Sequence, residues 1–106
     1  MSLEENIRIC RLIDIYGKLL TENQLKVLKE YYFDNLGLTE IADDAGISRQ
    51  AVNDSIKKSC SILESYEEKL GLFSKYQRLS EIEEELKELG EDSAEIRKII
   101  NEIIEN

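Results

Sequence analysis

No proline interrupts this chain of 106 residues, and apolar side chains recur at spacings of three and four almost from end to end. Proline removes a backbone donor and clashes with the preceding turn, so its absence leaves every stretch free to be helical. Spacings of three and four place apolar groups on one face of a helix, whereas strands need alternation. The expected fold class is therefore all-α. The length suits one domain core of ordinary size.

The apolar rhythm divides the chain. Ile9, Ile13, Tyr16 and Leu20, widened by Leu12 and Leu19, predict a first amphipathic helix over 4–20. Thr21 and Gln24 have the spacing of a capping box, in which each side chain satisfies a backbone donor of the first turn. A second helix follows, with Leu25, Leu28, Tyr32 and Phe33 as its apolar face, ended by Asp34-Asn35-Leu36-Gly37. Thr39 is the expected cap of a short third helix running from Glu40 to about Ala45. Ser48 is the expected cap of a long fourth helix, whose rhythm Val52, Ile56, Cys60, Leu63, Leu70 continues to a stop at Gly71.

The segment from Leu38 to Val52 fits a helix-turn-helix. Ala42 is small where two helices would cross, and Gly46 can adopt the positive φ that a tight turn demands. Ile41, Ile47, Val52 and Ile56 would fill the wedge between the helices. Ser48 would cap the second of them, a contribution of roughly 1 kcal/mol. In such motifs the second helix enters the major groove, and its first turns reach base edges. The candidate nucleic-acid-binding residues are thus Ser48, Arg49, Gln50, Asn53, Lys57 and Lys58. Arg, Gln and Asn make two-point contacts to guanine and adenine, and lysines suit phosphates. Asp54, and Asp43-Asp44 on the supporting helix, oppose phosphate.

Net charge sets a counterweight. The chain carries −9, whereas proteins that live on phosphate contacts are usually basic. The charge is uneven, however. Residues 1–62 hold eight Lys/Arg and ten Asp/Glu, and residues 63–106 hold six and thirteen. The acidity lies mainly behind the motif.

An ordered set of residues resembles one family. It comprises Asp14-Ile15-Tyr16, Leu19-Leu20-Thr21, Gln24, Tyr31-Tyr32, Leu38-Thr39-Glu40-Ile41-Ala42, Ser48-Arg49-Gln50-Ala51-Val52, Asp54, Ile56-Lys57, Leu63-Glu64 and Tyr66-Glu67-Glu68-Lys69-Leu70. This set is similar to the YlxM family of helix-turn-helix proteins associated with the bacterial signal recognition particle, over residues 5 to about 90. The motif alone is also similar to region 4 of sigma factors. The resemblance implies a sigma-region-4-like helix-turn-helix bundle with a long fourth helix and C-terminal amphipathic helices. It also implies a regulatory role in the signal recognition particle pathway, with the particle's RNA or protein as partner. It supplies no catalytic residue.

Nor do the residues themselves suggest an enzyme. Histidine, the usual general base near neutral pH, is absent. Cys10 and Cys60 stand alone in helical patterns, as small apolar residues of a reducing compartment would. The five glycines are scattered singly, so no phosphate-cradling loop is formed. Glu83-Glu84-Glu85 would fan across a solvated helix face rather than gather a metal. The expectation is a non-enzymatic protein without cofactor, metal site or small-molecule substrate. No leader-like start and no apolar run of membrane-spanning length is visible, so a cytoplasmic location without membrane insertion is expected.

Residues 1–73 are expected to form the helix-turn-helix domain, and 74–106 acidic C-terminal helices. In the latter, Leu79, Ile82, Leu86 and Leu89 alternate spacings of three and four, and Ile96, Ile99, Ile100, Ile103 and Ile104 mark a last amphipathic helix. These stripes need a partner surface. They either complete the same fold or form a dimerisation element, with Leu79, Ile82, Leu86, Leu89, Ile96, Ile100 and Ile103 pairing two copies; a homodimer is expected. Three functional expectations stand side by side. The first is a regulator in the signal recognition particle pathway, the second a transcription regulator reading duplex DNA, and the third an adaptor that binds only protein through its acidic helices.

Overall fold

A computed structural model describes residues 2–105. Among them are six α-helices and no strand: α1 (Leu3–Tyr16), α2 (Glu22–Tyr32), α3 (Leu38–Ala45), α4 (Arg49–Leu70), α5 (Leu72–Lys87) and α6 (Ala94–Glu105). The fold is all-α. The chain forms two compact units that divide between Leu70 and Gly71. Gly71 has φ 62°, a left-handed conformation that ends α4 where the sequence expects it.

The first unit is built around α4, against which α1, α2 and α3 all pack. Leu12, Ile13 and Tyr16 of α1, Val27 and Leu28 of α2, and Ile41 and Ala42 of α3 are buried. They surround Val52, Ile56, Ser59 and Leu63, which succeed one another on α4 at spacings of four, three and four. One face of a helix six turns long thus serves three partners. Its opposite face carries Asp54, Lys57, Lys58 and Ser61, all exposed.

Local chemistry explains most element boundaries. Ser2 and Glu5 form a capping box at α1, and Thr21 and Gln24 form the expected one at α2, both bonds being 3.1 Å. α1 ends earlier than its apolar rhythm suggests. Gly17–Leu19 tightens into a 3-10 turn, which swings Leu19 outward to 55% exposure while Leu20 stays buried. α3 starts one turn-residue before the expected cap. Gly37 is its N-cap, and the Gly37 amide donates to Glu40 Oε1 at 3.4 Å, so Thr39 lies inside the helix. Val27 replaces Phe33 in the face of α2, because Phe33 falls at the helix end and remains exposed.

The second unit is a pair, α5 against α6, joined through a 3-10 turn at Gly90–Ser93. The Ser93 hydroxyl fastens that turn, its single proton shared between the carbonyls of Leu86 at 2.6 Å and Gly90 at 2.8 Å. Ser93 Oγ also accepts from Arg97 Nε at 3.1 Å.

Candidate nucleic-acid interface

Helix α3, the turn 46–48 and the start of α4 form a helix-turn-helix. Gly46 has φ 68°, the conformation that an L side chain adopts only at a cost. The Ile47 amide donates to the Ala42 carbonyl at 3.1 Å, closing the end of α3. Ser48 Oγ accepts from the Ala51 amide at 3.0 Å, capping α4. Ala42, Ile41, Val52 and Ile56 are buried at the crossing. Ile47 is not part of the wedge: the turn directs it outward, and it is 44% exposed.

The turn therefore delivers the first turns of α4 to the surface. Arg49, Gln50, Lys57 and Lys58 are exposed, and Asn53 is half-buried beside them. Ser48 contributes chiefly as the cap, with its hydroxyl already engaged to the backbone. Gln50 is engaged as well. Its Nε2 donates to Asp54 Oδ1 at 2.9 Å. Spacing of four on a helix makes such a pair available, and it is the one signal by which the sequence could have announced it. Asp43 and Asp44 lie exposed on α3, so the motif's supporting helix presents negative charge.

Behind this face the first unit is braced by polar contacts that no spacing rule announces. Arg8 donates to both carboxylate oxygens of Glu64, from Nε at 2.8 Å and Nη2 at 2.7 Å. This hydrogen-bonded pair raises the Arg8 pKa and holds that of Glu64 below the usual carboxylate range. The buried Tyr16 donates to Glu67 at 2.7 Å and stacks on Tyr66 with ring centroids 6.0 Å apart. Both contacts tie α1 to the C-terminal half of α4.

The two cysteines are half-buried rather than fully enclosed. Cys60 Sγ lies 3.6 Å from the Tyr32 hydroxyl. Burial raises the pKa of Cys60, with nearby Glu64 adding to the rise and the Tyr32 hydrogen bond opposing it. Burial and then Asp14 raise that of Cys10. A reactive thiol needs the opposite shift. Among the described residues no helix is long and apolar enough to cross a membrane, and no group of three or more Cys, Asp or Glu is placed to hold a metal ion.

In the second unit the apolar stripes have different fates. Leu79, Ile82 and Leu86 are half-buried, Ile100 is buried, and Leu89, Ile96 and Ile103 are exposed.

The geometry of turn and cap agrees with comparison to known sequences. Residues 3–103 match the UPF0122 family, described as "Putative helix-turn-helix protein, YlxM / p13 like". The chain belongs to this family. Among its members, YlxM of Bacillus subtilis is 46% identical over 99 residues, which cover 93% of this chain and 90% of that one. A relative from Halalkalibacterium halodurans is 46% identical over 92 residues, covering 87% and 84%. One from Lactococcus lactis is 46% identical over 86 residues, covering 81% and 78%. The family match reaches residue 103, within α6.

Proposed function

We propose that this protein is a non-enzymatic, cytoplasmic regulator that meets nucleic acid through the first turns of α4, in a core like that of sigma region 4. One observation carries the reading. The left-handed Gly46 and the Ser48 cap deliver Arg49, Gln50, Asn53, Lys57 and Lys58 to one exposed end of a helix whose other face is locked into the core. Helix-turn-helix proteins use that end to enter a groove. Lys57 and Lys58 supply phosphate contacts, and Arg49 with Asn53 supplies base contacts. The resemblance to the YlxM family supports the signal recognition particle pathway as the setting, with the particle's RNA or protein as partner.

A second reading, a transcription regulator on duplex DNA, is favoured by the residue types at 49, 50 and 53, which are those that read guanine and adenine in the major groove. On that reading a homodimer presents two recognition helices to two half-sites.

Binding to labelled duplex DNA and to signal recognition particle RNA across a salt series tests both. Affinity that falls steeply with salt, and falls again when Lys57 and Lys58 are changed to Ala, supports the interface, and the better-bound ligand chooses the pathway. Absence of binding to either at low salt overturns it.

A further inference from the structure

Asp54 fixes which end of the Gln50 amide it meets. A carboxylate only accepts hydrogen bonds, so the amide must turn its nitrogen toward it and its oxygen away. The structure has that arrangement: Gln50 Nε2 donates to Asp54 Oδ1 at 2.9 Å. Asp54 has rival partners. Lys57 and Lys58 stand three and four residues beyond it, where ion pairs form on a helix. No ion pair joins either lysine to Asp54 among the described residues. Gln50 and Asp54 are both exposed, with Arg49 and Asn53 beside Gln50 on α4.

The bond decides what the amide has left to offer. A free glutamine has two N–H donors and a carbonyl. It can set one N–H and the carbonyl against N7 and N6 of adenine, or turn its NH2 end toward N7 and O6 of guanine, which are both acceptors. With one N–H held by Asp54, a single N–H and Oε1 remain. That pair matches adenine. On guanine it sets Oε1 against O6, acceptor against acceptor. A groove that closes over the pair excludes water, which strengthens the bond to Asp54 and the repulsion alike.

We propose that Gln50 contacts the N7/N6 edge of an adenine, and that Asp54 is its positioning residue, holding the amide in an orientation that adenine accepts and guanine does not. The proposal rests on the reading of α4 as a nucleic-acid interface. It goes past that reading by naming a base, and by giving a role to a carboxylate that otherwise only repels phosphate. The same edge is presented by a paired adenine in the major groove of duplex DNA and by an unpaired adenine of RNA.

The test begins with the full chain and two libraries, a duplex DNA with a randomised centre and an RNA hairpin with a randomised loop. Each adenine that selection enriches is then changed to guanine in turn, and affinity is read by fluorescence anisotropy. At one position guanine should bind about tenfold more weakly, and Gln50→Ala should remove that difference. Asp54→Ala should cut it to about twofold or less, since the amide is then free to turn. Loss of the charge shifts both ligands alike, so the adenine-to-guanine ratio reads orientation and not attraction. Asp54→Asn should keep the ratio near that of the wild type, because its Oδ1 still accepts from Gln50 while the charge is gone. Circular dichroism of each variant confirms that the exposed substitutions leave the helices intact. A ratio that Gln50→Ala removes but Asp54→Ala leaves at about tenfold overturns the positioning role. Absence of any preference that depends on Gln50 overturns the choice of base; in both cases the chain still binds and the interface stands. Failure to bind either library at low salt overturns the interface and this proposal with it. The library that yields the tighter ligand distinguishes a paired adenine from an unpaired one.

Discussion

Gln50 and Asp54, one turn apart on α4, are joined by a 2.9 Å hydrogen bond from Nε2 to Oδ1 in the middle of that helix's exposed face. The bond has two effects. It commits part of the Gln50 amide, and it holds a carboxylate where phosphate would approach. Replacing Asp54 by Ala should therefore tighten nucleic-acid binding by about fivefold, corresponding to roughly 1 kcal/mol for one charge at close range in a water-rich setting. The gain should shrink as salt is added. Anisotropy titrations of the wild type and the variant at two salt concentrations measure it, and weaker binding by the variant would show that Asp54 accepts from a base instead.

Ser59 occupies the middle of the α4 core face at 0% exposure, and its hydroxyl has no hydrogen-bond partner among the described residues. An unpaired buried hydroxyl opposes folding, whereas an alanine of nearly the same size does not. Ser59→Ala should leave stability unchanged or raise it by about 1 kcal/mol. Leu63→Ala, one turn further along the same face, should lower it by about 2–5 kcal/mol. Urea midpoints of the two variants make the comparison, and a destabilising Ser59→Ala would mean that the hydroxyl is satisfied in solution.

The Arg8–Glu64 pair gives a pH signature. Glu64 has its pKa lowered, first by the hydrogen bonds from Arg8. A carboxylate with a depressed folded pKa adds stability that is complete above its ordinary, unfolded value and is lost as the pH falls through the depressed one. Both side chains remain about two-fifths exposed, 44% and 42%, so solvent screening keeps the contribution to about 0.5–1 kcal/mol. Glu64→Gln should cost that much at pH 7 and nothing in strong acid. A difference in urea midpoint that stays constant from pH 7 to pH 2 would remove the ion pair from the account.

Gly46 tests the turn by itself. With φ 68°, a side chain there is strained, yet an added Cβ would meet nothing within 4 Å. The cost of Gly46→Ala is then purely that of the left-handed backbone, about 1–2 kcal/mol. A larger loss in thermal or urea unfolding would reveal a steric contact that the geometry does not contain.

How much of this was legible in advance follows from range along the chain. Local chemistry was readable: the Thr21–Gln24 box, the Ser48 cap and the left-handed Gly46 and Gly71 depend on residues within a turn of one another, and so do Val52, Ile56 and Leu63 of the α4 core face, where Ser59 takes the buried place expected of Cys60 and Leu70 is exposed. Errors arose at helix ends. There, the apolar pattern continues past the point where the backbone changes course, which is why Leu19, Phe33 and Ile47 face outward. The contacts that brace α1 on α4, Arg8 with Glu64 and Tyr16 with Glu67, join residues more than fifty positions apart. Periodicity carries no record of such pairs. The exposure of Arg49, Gln50, Lys57 and Lys58 on α4 was legible by position, but Gln50's commitment to Asp54 was not, because spacing permits that bond without requiring it.

Arg49 separates base reading from mere attraction. It stands in the first turn of α4, exposed, directly after the cap. A side chain there that makes two-point contact with a guanine contributes about 1–3 kcal/mol, and only on sequences that carry the base. Arg49→Ala should therefore weaken the preferred ligand by that amount and flatten discrimination at one position. Lys57→Ala should instead weaken every ligand alike and reduce the salt slope by about one. Affinity measured on a panel of single-base variants, for each substitution, distinguishes the two patterns. If Arg49→Ala behaves as Lys57→Ala does, the face binds backbone only, and selectivity must come from the shape of the nucleic acid. If it changes nothing on any ligand, α4 does not approach nucleic acid with its first turn, and the helix-turn-helix is a scaffold for protein contact.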